Sequence, residues 1–232
     1  MKISEQVAFV TGANRGFGRH LTLELLSRGA KVYVSARNPE TIDIPGVIPV
    51  KLDITNPQEV AEAAILAKDV TLLINNAGSS TGASLLDDDV EKIHLEFDTH
   101  FFGTLSMVRT FAPILEKNGG GSILNVLSAL SWFSSGTVGA YSAAKAAEWA
   151  LTNDLRLNLY PHNIRVAGLH VGFMDTDMTT TLEVPKVNPA DIAKIAIDGI
   201  ESGSFEIIAD DDSRKIQGAL AVGVPALYPN LS

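Results

Sequence analysis

An open, doubly wound α/β sheet of about seven parallel strands, with helices on both faces, in a single domain of residues 1–232, is the fold this sequence predicts. Three observations predict it. Short β-branched runs alternate with longer segments of helical length and apolar spacing, the progression that builds βαβ units. A glycine-rich turn follows the first strand-like run directly and opens a helical segment. The 232 residues, 46% hydrophobic and 19% charged, also suffice for one sizeable core.

Taken in order, Val7 to Val10 is an apolar run that leads into Thr11-Gly12-Ala13-Asn14-Arg15-Gly16-Phe17-Gly18 and a helix from Gly18 to Arg28. Glycines at such a turn let backbone amides and a helix N-terminus approach a pyrophosphate. The spacing departs from the common GxGxxG fingerprint, so the turn alone identifies no family. Strands follow at Lys31 to Ser35, Val47 to Leu52 and Thr71 to Asn75, with a helix from Pro57 to Ala67 before the last of them. A helix from Val90 to Glu116 and the turn Asn118-Gly119-Gly120-Gly121-Ser122 lead into the strand Ser122 to Leu127. The remaining elements are a helix from Tyr141 to Leu159, a strand from Ile164 to Leu169, a helix from Pro189 to Ser202 and a strand from Phe205 to Ala209. Right-handed crossovers place the glycine turn, Asn75-Asn76, Ser128 and Val171-Gly172 at strand carboxyl ends, where open α/β sheets gather ligands in one crevice.

Composition narrows the function. A formal charge of −9 with no basic stretch argues against nucleic acid or an anionic membrane as partner. The absence of cysteine excludes disulfides, thiolate nucleophiles and Cys-ligated zinc. The amino terminus shows no secretion signal and the later apolar stretches are broken well short of a membrane span, so a soluble cytoplasmic protein is expected. The triplets Asp87 to Asp89 and Asp210 to Asp212 stand before helices, where carboxylates cap amides and complement the dipole. The five histidines show no ligand spacing, and no metal site is expected.

Tyr141 and Lys145 lie four residues apart in a run of strong helix-forming composition, so both project from one face, one turn apart. A free phenol titrates near pH 10, and an adjacent ammonium shifts it downward by favouring the phenolate, which makes tyrosine usable as a general acid or base. Ser128, at the end of the run from Ser122, can donate a hydrogen bond to a substrate oxygen. Together the three suggest carbonyl or alcohol chemistry.

In this order TGANRGFG, Asp53, Asn75-Asn76-Ala77-Gly78, Ser128 and Tyr141-x-x-x-Lys145 resemble the signature of the short-chain dehydrogenase/reductase family, from about Val7 to Thr176. The resemblance implies Tyr141 as general acid, Lys145 as the group that lowers its pKa and binds the nicotinamide ribose, and Ser128 as the group that polarises the substrate oxygen. Implied cofactor contacts are Gly12, Asn14, Arg15, Gly16, Phe17 and Gly18 in the turn, Asp53 and Ile54 at the adenine, and Asn76, Ala77, Gly78, Tyr141, Lys145, Gly172 and Thr176 toward the nicotinamide. In NAD-preferring relatives an acidic residue commonly ends the second strand. Here Ala36 holds that place and Arg37 follows, with Arg15 on the same side; two guanidiniums suit a 2′-phosphate and imply NADP(H).

Two positions depart from the family pattern. Val171 replaces the common Pro before Gly172, and His100 stands where the family has the Asn of its catalytic tetrad. If that position serves through a main-chain carbonyl freed by a helix distortion, His can substitute; the alternatives are an imidazole relay or a packed helix residue. The activity implied is NADPH-dependent reduction of a small hydrophobic ketone or aldehyde, reversible as alcohol oxidation. A 3-oxoacyl-carrier-protein reductase and a non-catalytic NADP-binding sensor or scaffold are the alternatives. Leu130, Trp132, Phe133, Phe173 and Met178 imply an apolar site covered by the segment 179–189. The apolar helices around Phe102 and Trp149 suggest a homodimer or homotetramer.

Overall fold

The computed structural model describes residues 1–231 and shows one parallel sheet of seven strands in the order β3-β2-β1-β4-β5-β6-β7. The strands are β1 (Val7–Val10), β2 (Lys31–Ala36), β3 (Ile48–Lys51), β4 (Leu72–Asn75), β5 (Gly121–Val126), β6 (Ile164–His170) and β7 (Glu206–Ile208). The order reverses between β1 and β4, so a crevice opens at their carboxyl ends.

Each central strand is an apolar run because both of its faces are covered. Ala8, Val10, Val32, Val34, Leu72, Ile74 and Leu124 pack on one side with α1 (Gly16–Ser27) and α6 (Pro189–Ser202), through Leu21, Leu25, Ile192 and Ile197. Their alternating neighbours Phe9, Tyr33, Leu73, Ile123 and Val166 face the other side. There they meet α2 (Pro57–Leu66), α4 (Thr104–Lys117) and α5 (Gly139–Leu159) through Val60, Phe111, Leu115 and Leu151.

The segment expected as one helix from Val90 to Glu116 has three parts: α3 (Val90–Phe97), a π-helical segment (Asp98–Gly103) and α4. Glu96, His100 and Thr104, spaced by four, are all buried, and the wider π turn keeps this polar row facing the interior. Beyond β7 the chain continues into α7 (Asp211–Leu220) and the short α8 (Val224–Leu227). The expected carboxylate cap is realised at Asp210, whose Oδ1 accepts from the Ser213 amide at 2.7 Å. Its Oδ2 accepts from the Gly172 amide at 2.6 Å and ties α7 to the end of β6. At Asp89 the expected cap does not form: it makes no side-chain cap bond, and Asp88 instead accepts from the Ser84 amide and pairs with Lys92.

Candidate active site

The glycine turn is shaped by contacts a side chain would obstruct. Gly12 has φ +62°, and a Cβ there would lie 2.8 Å from the Ala77 Cα; at Gly18 it would run into the Asn76 side-chain Nδ2 and lie 2.7 Å from the Gly12 carbonyl oxygen. Asn76 Nδ2 donates to the carbonyls of Thr11 and Gly12, and Thr11 Oγ1 accepts from the amides of Asn76 and Ala77. The turn after β1 and the Asn76–Gly78 segment after β4 are thereby stitched into one cradle, with Gly16 facing Thr176 across it at 4.0 Å between the added Cβ and the Thr176 Cβ. Arg15 caps α1 at its N-terminus. This open backbone fits a dinucleotide phosphate.

The other implied cofactor residues divide by what their side chains do. Phe17 is buried in the core, which leaves its backbone for a ligand. Asn14 donates to Thr41. Asp53 Oδ1 accepts from both the amide and the hydroxyl of Thr55, and Ile54 packs against Gly103 in the π segment. Arg37 is exposed and forms no ion pair among the described residues. Arg15, expected beside it, pairs with Asp177 at 3.2 Å, with both side chains about two-thirds exposed. Such a pair is worth roughly 0–1 kcal/mol and yields readily to a phosphate dianion.

Ser128, Tyr141, Lys145 and His100 converge beside this cradle. Ser128 ends the β5 segment as the cap of a 3₁₀ turn, its Oγ accepting from the Leu130 amide at 3.1 Å while its hydroxyl hydrogen is left for the phenol or a substrate. Lys145 is buried on α5; its ammonium donates to the Val126 carbonyl and to Glu148 Oε2, each at 2.7 Å, and lies 5.9 Å from the Tyr141 ring centre. The His100 ring meets the Tyr141 ring edge-on, 5.2 Å between centroids. A buried chain from Asn75 through Asn125 and Thr152 to the Glu148 carbonyl fixes α5 against β4 and β5.

The electrostatics differ from those of a lone Tyr–Lys pair. Burial pushes the Tyr141 phenol up, Lys145 pulls it down, Glu148 pushes it up and Ser128 pulls it down; the result lies above the ordinary phenol value, not below it as the spacing of Tyr141 and Lys145 led one to expect. Lys145 is likewise held above its ordinary value: burial opposes its charge, and Glu148, Tyr141 and Glu96 together outweigh that opposition. Glu148 was within the helical run read from the sequence, and its place three residues after Lys145 on the same face was the available signal. Glu96 had a similar signal, standing one helical turn before His100, although its partners Ser79 and Thr81 are brought to it only by the fold. Burial pushes its carboxyl up, but His100, the Thr81 amide and the Ser79 hydroxyl hold it down at about 2.

On the substrate side, Phe173 and Met178 are exposed at the crevice mouth. The covering segment is closed at its base by a parallel bridge between Met174 and Val187. Trp132 is buried, stacked on His170 with centroids 3.7 Å apart. His170 Nδ1 in turn lies 3.2 Å from the Ser128 carbonyl, so this stack supports the Ser128 main chain. The carboxyl-terminal segment returns to the same region, with Tyr228 OH accepting from the Ser134 amide.

A single parallel sheet with a phosphate-ready turn and a Ser-Tyr-Lys cluster at its carboxyl edge defines an oxidoreductase fold of the Rossmann type. The chain belongs to the short chain dehydrogenase family, whose profile matches residues 6–186. A short chain dehydrogenase from Burkholderia cenocepacia, solved in complex with NADP, is 40% identical and superposes with a TM-score of 0.95 over 100% of this chain and 99% of that one. The NADPH-dependent 1-acyldihydroxyacetone phosphate reductase of Schizosaccharomyces pombe is 32% identical over 75% of this chain and 61% of its own length. A 3-ketoacyl-(acyl-carrier-protein) reductase from Brucella melitensis, complexed with NADH, is 25% identical with a TM-score of 0.80, covering 85% of this chain and 91% of that one. Among the described residues no helix is long and apolar enough to cross a membrane.

Proposed function

We propose that this chain reduces a small, hydrophobic ketone or aldehyde with NADPH, and catalyses the reverse alcohol oxidation, with Tyr141 as general acid and base. The observation that carries the reading is the convergence of Ser128, Tyr141 and Lys145 beside the glycine cradle, with the buried Lys145 ammonium 5.9 Å from the Tyr141 ring centre. The backbone of Gly12 to Gly18 with Asn76, Ala77 and Gly78 would hold the dinucleotide. Arg37, and Arg15 once released from Asp177, would meet the 2′-phosphate; Lys145, Gly172 and Thr176 would lie toward the nicotinamide end. When bound, NADPH supplies the hydride. Ser128 then polarises the carbonyl oxygen, and the Tyr141 hydroxyl delivers the proton that completes the alcohol.

NADP(H) as the cofactor is supported by Ala36 and Arg37 at the end of β2, and by the NADP-bound and NADPH-dependent relatives. The apolar mouth of Phe173, Met178, Leu182 and Val184 favours hydrophobic carbonyls. The face formed by the π segment and α5, where Phe102 and Leu157 stand exposed, suits a second copy of the chain, and we read the protein as a homodimer or homotetramer in the cytoplasm. A panel of ketones and aldehydes followed by NADPH absorbance tests the activity: turnover of hydrophobic members is expected, and a panel inert throughout would overturn it.

A further inference from the structure

The roles assigned to Tyr141, Lys145 and Ser128 leave unexplained why a second buried charge sits against Lys145. Glu148 is almost fully buried, and its Oε2 lies 2.7 Å from the Lys145 ammonium. Its Oε1 accepts from Thr104 at 3.2 Å, and its Oε2 lies 3.8 Å from His100 Nδ1, a buried ring nitrogen with no hydrogen-bond partner. The other ring nitrogen, Nε2, lies 2.9 Å from the Ser79 carbonyl and 3.3 Å from Glu96 Oε2, with the Ser79 amide pointing at it from 3.3 Å. Burying a carboxylate is costly unless it is paired and hydrogen-bonded, and Glu148 is both.

The titratable and polar groups around the Tyr141 phenol come from four elements. Lys145 and Glu148 stand on α5, Glu96 on α3, His100 on the π segment and Ser128 at the end of β5. A lone ammonium one turn away would draw the phenol toward phenolate. Here that ammonium is countered by a carboxylate within hydrogen-bond distance, in a setting too dry to screen either charge.

We propose that Glu148 is a positioning residue: it fixes the Lys145 ammonium and offsets its charge, which keeps the Tyr141 hydroxyl protonated and extends into alkaline pH the range over which it can donate to a carbonyl. This rests on the reading of Tyr141 as proton donor. In alcohol oxidation the same arrangement delays the appearance of the phenolate base, so oxidation turns on at correspondingly higher pH. Removing the Glu148 charge moves both limbs to lower pH together.

The test uses two readouts. Tyrosinate absorbance is titrated in the protein without cofactor, for the parent and for Glu148→Gln, each corrected by its Tyr141→Phe counterpart, since the chain has four tyrosines. The Tyr141 step is expected at lower pH in Glu148→Gln and back toward the parent position in Glu148→Asp; an unmoved step in folded Glu148→Gln overturns the proposal. The alkaline limb of kcat for carbonyl reduction is expected to move the same way. Should Glu148→Gln fail to fold, the double variant Lys145→Met/Glu148→Leu removes both charges at similar volume. Its Tyr141 step should stay near the parent's if the two offset one another, and a step displaced to higher pH shows that Lys145 acts alone and overturns the proposal. A Tyr141 step that moves as expected in a protein inert toward every carbonyl would refute the proposed reaction and leave the Glu148 assignment standing.

Discussion

Gly12→Ala probes the cradle where the geometry sets the magnitude. The added methyl meets two penalties: the left-handed φ of +62°, and a contact of 2.8 Å with the Ala77 Cα and 3.1 Å with its Cβ. Ala77 cannot retreat easily, because its amide is held by Thr11 Oγ1 at 2.9 Å and the Gly12 carbonyl by Asn76. The conformational penalty is about 1–2 kcal/mol, and forcing a methyl into a filled space costs about 1–3 kcal/mol more. Loss of unfolded-state freedom returns about 0.4–1 kcal/mol. The net of roughly 1–5 kcal/mol corresponds to a fall in Tm of about 2–20 °C at this chain length. Gly82→Ala is the control, since Gly82 has φ +71° and nothing within 4 Å, and so carries the conformational penalty alone. Thermal unfolding by circular dichroism and NADPH titration by fluorescence should show Gly12→Ala the less stable of the two and the weaker binder. Equal losses in both variants would refute the steric account of the cradle.

Three further outcomes follow from the same structure. Arg37→Asp should lower the preference for NADPH over NADH in kcat/KM by about tenfold to a hundredfold, the equivalent of one charge-assisted hydrogen bond of about 1.5–3 kcal/mol; equal use of both cofactors by the parent enzyme would remove Arg15 and Arg37 from cofactor choice. The Glu96 carboxyl, held at about 2 against an ordinary 4.5, contributes stability that is fully present above about pH 4.5 and is lost as pH falls toward 2. Chemical unfolding along that range should lose about 3 kcal/mol from this group, a slope that Glu96→Gln flattens. Light scattering at micromolar concentration should give the mass of a dimer or tetramer, with Phe102→Glu, exposed on the π segment, shifting it toward the monomer.

The fold was legible because each strand is a short apolar run closed by a turn residue, and each boundary lay within a few residues of the expected one. The ordered motifs located Ser128, Tyr141 and Lys145 for a similar reason: they act through local spacing and strand ends. What the sequence concealed depends on contacts between distant segments. The π segment leaves no break in the apolar pattern from Val90 to Glu116, yet it decides that His100 faces α5. Asp210 read as a helix cap, and only the fold shows its second oxygen on Gly172. Arg15 read as free for a phosphate, whereas Asp177 reaches it from 162 residues away. The direction in which the Tyr141 phenol is shifted was the sharpest such case, because the sign depends on how deeply it is buried and on what else touches Lys145.

The account's central claim is that Tyr141 donates the proton in NADPH-dependent carbonyl reduction. It is tested most directly by comparing parent and Tyr141→Phe for single-turnover NADPH oxidation with the best ketone of the panel, alongside NADPH affinity measured by fluorescence. The predicted result is a loss of roughly 10²-fold to 10⁴-fold in rate, as expected when a general acid is removed, with cofactor affinity unchanged. A Tyr141→Phe protein that binds NADPH and reduces the ketone at the parent rate would contradict the claim.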